Sequence, residues 1–181
     1  MNYVFKIKNE IIVPDGTKVY PFLNPRDSES HLPWDLSGDV SLAVGEIAPH
    51  SQSKIHIHPL VTLITWVISG MLQIKMKEPE SADPYIVTLN AQEAALTKTQ
   101  TFLQHINTAD ELCRVLYIVS PAYVFLKEAN ETLVYDDAVV TDLDWDALAE
   151  QQWQLPSVFD HDQVKTNREK ALARLFLSHS K

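Results

Sequence analysis

A single cysteine, Cys113, occurs in the 181 residues. It excludes an intramolecular disulfide and any cysteine-based zinc cluster. Cys113 lies in an apolar stretch, Leu112 to Val119, and reads as a small buried hydrophobe. Glycine is scarce too, at four residues, so Asn, Asp, Ser and Pro have to carry most turns. Basic residues are outnumbered: 15 Lys and Arg against 24 Asp and Glu give a net charge of -9. No dense Lys/Arg run breaks that balance, so neither nucleic acid nor an anionic membrane is expected as a partner. The longest nearly uncharged apolar run, Pro59 to Leu72, is too short to cross a bilayer. Met1 to Asn9 alternates apolar with charged or polar residues and lacks the continuous apolar segment of a signal peptide. A soluble cytoplasmic chain is the expectation. Gly-rich phosphate loops, GxSxG, HExxH and paired-carboxylate motifs are all missing.

What is present is an ordinary globular mix, 45% hydrophobic and 22% charged, in a chain long enough for one domain with a real core. No internal repeat or low-complexity segment occurs. Most of the chain reads as short strands. Ile11-Ile12-Val13 and Lys18-Val19-Tyr20 flank the turn signal Pro14-Asp15-Gly16-Thr17. Val40 to Ile47, Lys54 to His58, Leu60 to Ser69, Tyr85 to Leu89, Ala94 to Thr97, Phe102 to Ile106, Cys113 to Val119, Tyr123 to Leu126 and Thr132 to Tyr135 are further strand candidates. Met71 to Lys77 alternates Leu72, Ile74 and Met76 against Gln73, Lys75 and Lys77, the pattern of a half-buried strand. Asn24 to Gly38 is a loop. Many short strands with Pro or polar turns between them argue a β-sandwich or barrel. Beyond Asp136 the pattern changes to helices. One runs from Asp144 to Trp153, capped by Asp142 or Asp144. The second runs from Asp160 to Ser178, with Val164, Ala171, Leu172, Leu175 and Phe176 on one stripe.

The sharpest chemical feature is Ile55-His56-Ile57-His58-Pro59. On a strand, residues i and i+2 face the same side. Two imidazoles then share one space, about 6–7 Å apart along the chain, where neutral rings can chelate one transition-metal ion. Isolated His-x-His pairs are common, but this one has informative surroundings.

The segment from His50 to Gly70 resembles the first motif of the cupin superfamily: Gly, five residues, His-x-His, three or four residues, Glu, six residues, Gly. His56, His58 and Gly70 match in register. His50 stands where the first Gly would be, and Leu63 where the metal-binding Glu would be. The second motif, Gly, five residues, Pro-x-Gly, two residues, His, three residues, Asn, aligns best on Gln92 to Asn107. There Asn107 matches, while Gln92, Lys98, Gln100 and Leu103 replace the Gly, Pro, Gly and His. Cys113 to Pro121 resembles the apolar strand and Ser-Pro that commonly close this motif. The resemblance covers roughly Val40 to Pro121.

This resemblance implies an all-β, cupin-like β-barrel or jelly roll with a short C-terminal helical extension. The expected division is N-terminal strands and loop over 1–39, a barrel core over 40–135 and the helical extension over 136–181. It implies a metal site as well, although Leu63 and Leu103 remove two of four usual ligands. Strand alternation offers a substitute: if 103 points into the barrel, so does His105. His56, His58 and His105 are thus the expected holders of a divalent transition metal, with Fe, Zn, Ni and Cu all suited to three nitrogens. Thr65 shares the face of Leu63 and is a pocket residue. Gln104 points away in this register, but a one-residue bulge would exchange it with His105, so Gln104 is the reserve candidate. His50 and Lys98 are secondary candidates, the first a turn residue, the second near the barrel mouth. Trp34 is a candidate lid over the pocket.

The implied function is a metal-binding cupin acting on a small organic molecule, of dioxygenase, isomerase or lyase type. An alternative from another class stays open, a metal-free cupin that binds a small ligand without catalysis. A structural subunit docking through its helices is a third. The resemblance also implies a homodimer joined through N-terminal strands, for which Tyr3 to Ile7 would supply an edge.

Overall fold

Coordinates come from a computed structural model, which describes residues 5–26, 40–79, 83–128, 130–150 and 160–179. The described strands are paired antiparallel throughout. The first sheet has the order β1 (Ile11–Ile12), β2 (Lys18–Leu23), β3 (Ser41–Ile47), β11 (Cys113–Ser120), β6 (Thr62–Ser69), β9 (Ala94–Thr97). The second has the order β14 (Val139–Val140), β5 (His56–Ile57), β10 (Phe102–Asn107), β7 (Met71–Lys77), β8 (Tyr85–Asn90), with β4 (Ser51–Gln52) also on β10. The chain passes repeatedly from one sheet to the other, the arrangement of a jelly roll.

Alternation decides what the sheets bury between them. Val19, Leu63, Val67, Val115 and Val119 from the first sheet meet Leu72, Ile74, Met76, Leu89 and Leu103 from the second in one apolar core. Leu72, Ile74 and Met76 are buried as their pattern predicts. Cys113 is buried in the same core, which pushes its thiol up to about 11. Such a thiol is inert at neutral pH.

Strand β10 is buried on both faces, which its alternation alone does not predict. Leu103 and His105 face the barrel. Phe102, on the outer face, packs with Ile55, Ile57 and Leu148, and Gln104 accepts the Trp145 indole N–H (2.8 Å). The cover is helix α1 (Trp145–Glu150), whose Asp144 cap takes the Ala147 N–H at 2.8 Å. Trp145 also lies under the Lys75 ammonium, 4.9 Å from the ring centre. Lys77, read as outward-facing, is buried.

Helix α2 (His161–His179) starts at its own cap, Asp160, which accepts the Gln163 N–H at 3.0 Å. It buries Ala171 and Leu175 against Val124 and Tyr135, beside the hairpin of β12 (Phe125–Lys127) and β13 (Leu133–Asp136). Phe176, predicted on the buried stripe, is exposed instead, because the short hairpin covers only the inner edge of that stripe. Arg168 anchors the helix on Asp137 (2.9 Å) and the Ala122 carbonyl (2.8 Å).

The N-terminal arm differs from expectation. Phe5 to Glu10 forms no strand. Phe5 and Ile7 are exposed, and Lys8 N–H to the Pro21 carbonyl (2.9 Å) is not continued into a ladder. Tyr3 lies outside the described residues, as do Trp34, Trp153 and nearly all of the predicted Asn24 to Gly38 loop beyond Arg26.

Backbone conformation supports the register assigned to both motifs. His50, Gln92 and Gln100 have φ of 49°, 72° and 67°. These are three of the four positions where the motifs carry glycine. The left-handed turns persist although the residues have changed, at roughly 1–2 kcal/mol each. Gly70, the fourth of these positions and a glycine here, has φ 84°. Gly45 is needed for another reason. A Cβ there would sit 2.4 Å from Tyr117 Cε2 and 2.9 Å from Val115 Cγ2. Gly45→Ala is therefore expected to lower stability by roughly 1–3 kcal/mol through overpacking, read by urea denaturation. Unchanged stability would show that the Tyr117 ring moves aside freely.

Candidate functional site

Four elements bring polar side chains to one end of the barrel. β5 and its exit carry His56 and His58. β10 carries His105, β6 carries Thr65, and the turn between β1 and β2 carries Asp15. β5 and β10 run antiparallel with Leu103 opposite His56, so His105, the next inward residue, reaches the same space. The ring centres of His56 and His58 are 5.1 Å apart, and those of His56 and His105 are 6.1 Å apart. All three rings are buried. They open on a cleft of about 1020 Å³ whose walls include Leu63, Val119, Tyr117, Tyr123 and Asp15.

Hydrogen bonds fix part of this constellation. His56 Nδ1 is 3.0 Å from the Lys54 carbonyl. A carbonyl only accepts, so Nδ1 carries a proton, and in the neutral ring the lone pair lies on Nε2. Asp15 Oδ2 lies 3.4 Å from the same Nδ1. The Asp15 carboxylate is itself held by the Thr17 N–H (2.8 Å) and hydroxyl (3.0 Å), across Gly16 with φ 90°. Thr65 Oγ1 is 3.4 Å from His105 Nε2. Three buried polar atoms around the site have no hydrogen-bond partner among the described residues: His58 Nδ1, His105 Nδ1 and Tyr117 OH. Each costs about 1–3 kcal/mol when left unsatisfied.

Burial keeps the rings of His58 and His105 neutral. It holds His58 well below the usual imidazole value, with His56 and His105 adding to the effect and a hydrogen bond with the Asp137 backbone opposing it. It brings His105 down to about 3, again with His56 as a neighbour. Neutral imidazoles have free lone pairs, the form in which histidine binds metals. Tyr117 packs 5.5 Å from His105, and Tyr123 packs 5.9 Å from His58. Burial raises both phenols well above their ordinary range, so they are neutral hydrogen-bonding groups.

Of the residues singled out from sequence, His56 and His105 converge here, His58 lines the cleft beside His56, and Thr65 touches His105 from behind without lining the cleft. Gln104 does not join them. Register along β10 is unbroken, and the Gln104 amide points outward, donating to the Ser53 carbonyl at 2.7 Å. His50 pairs with Asp110 (2.7 Å) on an exposed turn. Lys98 pairs with Glu78 (3.4 Å) and does not line the cleft. Leu63 and Leu103 are core residues, and Leu63 also forms cleft wall. Asp15 was read only as a turn residue. The one available signal was an Asp-Gly turn at the edge of the barrel. Among the described residues, Asp15, His56 and His105 each place a ligand atom within 4.8 Å of the other two.

Behind Tyr123 lies a carboxylate pair. Asp136 accepts the Tyr123 O–H and the Ala138 N–H (3.0 Å), while its Oδ2 is buried without a partner. Asp137 accepts from Tyr135 (2.8 Å) and Arg168. Burial pushes Asp136 up to about 6 and also raises Asp137.

No protein-family model matches the chain, and no curated protein matches it. Solved structures do. Oxalate decarboxylase from Bacillus subtilis is 19% identical with a TM-score of 0.50, over 61% of this chain and 27% of that one. CENP-C of Drosophila melanogaster bound to CAL1 is 13% identical with a TM-score of 0.49, over 62% and 76%. KdgF from Halomonas sp. is 11% identical with a TM-score of 0.47, over 67% and 89%. The likeness is one of fold. The chain is a cupin-type jelly roll, as its strand order and the motif residues indicate.

The carboxylate pair gives a pH dependence with a definite sign. A raised folded-state value means that the native protein binds more protons than the unfolded chain between about pH 4 and 6. Asp136 then adds stability below that window, and the gain is lost as pH rises through about 6. In Asp136→Asn, urea denaturation is expected to show a shallower loss of stability over this range than in wild type. Parallel pH profiles would contradict the shift.

Proposed function

We propose that the barrel holds a divalent transition metal on His56, His58 and His105 and that the cleft above it receives a small organic molecule. The carrying observation is the pair of buried, partnerless ring nitrogens, His58 Nδ1 and His105 Nδ1, beside the open Nε2 lone pair of His56. A ring of neutral nitrogens in an apolar wall fits a cation, and it suits Fe, Zn, Ni or Cu. When bound, such a metal supplies Lewis-acid or redox chemistry to an oxygen-bearing substrate. The chain's own residues do the rest. Leu63 and Val119 exclude water from one side, Thr65 steadies His105, and the Tyr117 hydroxyl is a hydrogen-bonding group for the bound molecule. Dioxygenase, isomerase and lyase chemistry are all compatible with this arrangement, since one fold serves many reactions.

A second reading, a metal-free pocket that binds a small ligand without catalysis, is favoured by one observation. Leu63 and Leu103, where the motifs carry two metal ligands, are integral to the apolar core.

As partner we propose a second copy of the chain, joined through the outer face of the first sheet rather than through the N-terminal arm. Cross-strand register lines up Leu96, Ile64 and Ile118, and beside them Ala94, Trp66, Leu116 and Val44. Ile64, Trp66, Ile68 and Leu96 are 37%, 38%, 41% and 54% exposed. Strand spacing and rise give this four-strand face roughly 450 Å² in projection. With side-chain relief and a rim it approaches the ~800 Å² per partner of a standard interface.

Elemental analysis tests the metal reading. Untagged protein is expected to carry near one equivalent of a transition metal, and His56→Ala/His58→Ala is expected to lose it. Wild-type protein that stays metal-free after incubation with Fe, Ni, Zn and Cu would move the assignment to the metal-free pocket. For the interface, light scattering is expected to give a dimer for wild type and a monomer for Trp66→Lys. A wild-type monomer, or a Trp66→Lys dimer, would overturn that part of the proposal.

A further inference from the structure

We infer that Asp15 supplies the carboxylate of this metal site, delivered from the turn between β1 and β2 instead of from position 63. The inference rests on the metal reading above and adds to it the origin of the site's negative charge. Three neutral imidazoles contribute no charge, and a divalent cation buried among them needs compensation. Leu63 provides none.

Position and anchoring both single out Asp15. It is buried at 6% exposure and lines the cleft beside His56 and His105. One of its oxygens lies within ligand distance of theirs, all within 4.8 Å. The turn fixes its direction. Thr17 donates to Oδ1 through its N–H and to Oδ2 through its hydroxyl, and His56 Nδ1 stands 3.4 Å from Oδ2. Each carboxylate oxygen has two lone pairs, so capacity for a cation remains. Of the other acids bordering the cleft, Glu10, Glu128 and Glu131, two are engaged elsewhere. Glu10 pairs with Lys18 (3.0 Å) and Glu131 with Lys127 (3.2 Å). Asp136 and Asp137 face Tyr123, Tyr135 and Arg168.

A carboxylate from the N-terminal turn changes the character of the site. Three histidines and one carboxylate leave positions open on a divalent ion, and the oxygen ligand widens acceptance to Mn²⁺. An all-nitrogen site favours Ni²⁺ and Cu²⁺ more strongly.

The test is calorimetric titration of apo protein with Mn²⁺ and with Ni²⁺, comparing wild type with Asp15→Asn. Asn keeps an oxygen for the Thr17 N–H and removes the charge. Expected are loss of measurable Mn²⁺ binding and at least a tenfold weaker Ni²⁺ affinity, with circular dichroism unchanged. Equal affinities in the two proteins would overturn the assignment of Asp15 alone. A wild type that binds neither ion would overturn the metal reading and this inference with it. Asp15→Ser, which also keeps an oxygen at the turn, gives the same comparison if the Asn variant misfolds.

Discussion

Burying three imidazoles at one end of a closed barrel is the constraint on which the rest of this structure turns. Nitrogen atoms removed from water must find partners, and apolar walls offer none. The fold answers only part of that demand. The Lys54 carbonyl and Asp15 satisfy His56 Nδ1, and Thr65 meets His105 Nε2. His58 Nδ1 and His105 Nδ1 are left open. A buried polar cluster that is half satisfied is costly unless something enters it, which is why the geometry argues for a bound species and not for a packing accident.

The same constraint explains details far from the rings. His105 reaches the site only because β10 keeps its register against β5 and β7, and that register is locked from outside by α1. Trp145 donates to Gln104, and Leu148 covers Phe102. Tyr117 stands beside His105 only because Gly45 on the neighbouring strand has no side chain. Helix α2 steadies the hairpin next to Tyr123, through Arg168 and Asp137. The helical extension thus supports the histidine end of the barrel through contacts, while among the described residues the outer face of the first sheet stays partly exposed.

How much of this could be read from the chain depends on how local each signal is. His-x-His on a strand is a two-residue pattern, and alternation carried it correctly into the barrel. Leu72, Ile74 and Met76 announced their burial in the same way. Asp144 was visible as one of two candidate caps for the first helix. The degenerate second motif aligned on one matching residue, Asn107, yet its backbone kept the left-handed conformations at Gln92 and Gln100. Main-chain geometry outlasted the side chains that usually enforce it. Asp15 was invisible as a site residue because its approach to His56 is a tertiary event between distant segments. The double burial of β10 was hidden for the same reason, since the cover comes from a helix more than thirty residues later. Phe176 was misjudged because periodicity reveals a stripe but not the width of the surface that receives it.

The most direct test of the account is anomalous diffraction from crystals grown with Zn²⁺ or Ni²⁺. The account predicts one strong peak about 2.0–2.1 Å from a ring nitrogen of each of His56, His58 and His105. A dataset with no peak there, or with metal held only at surface histidines such as His50 and His161, would contradict it.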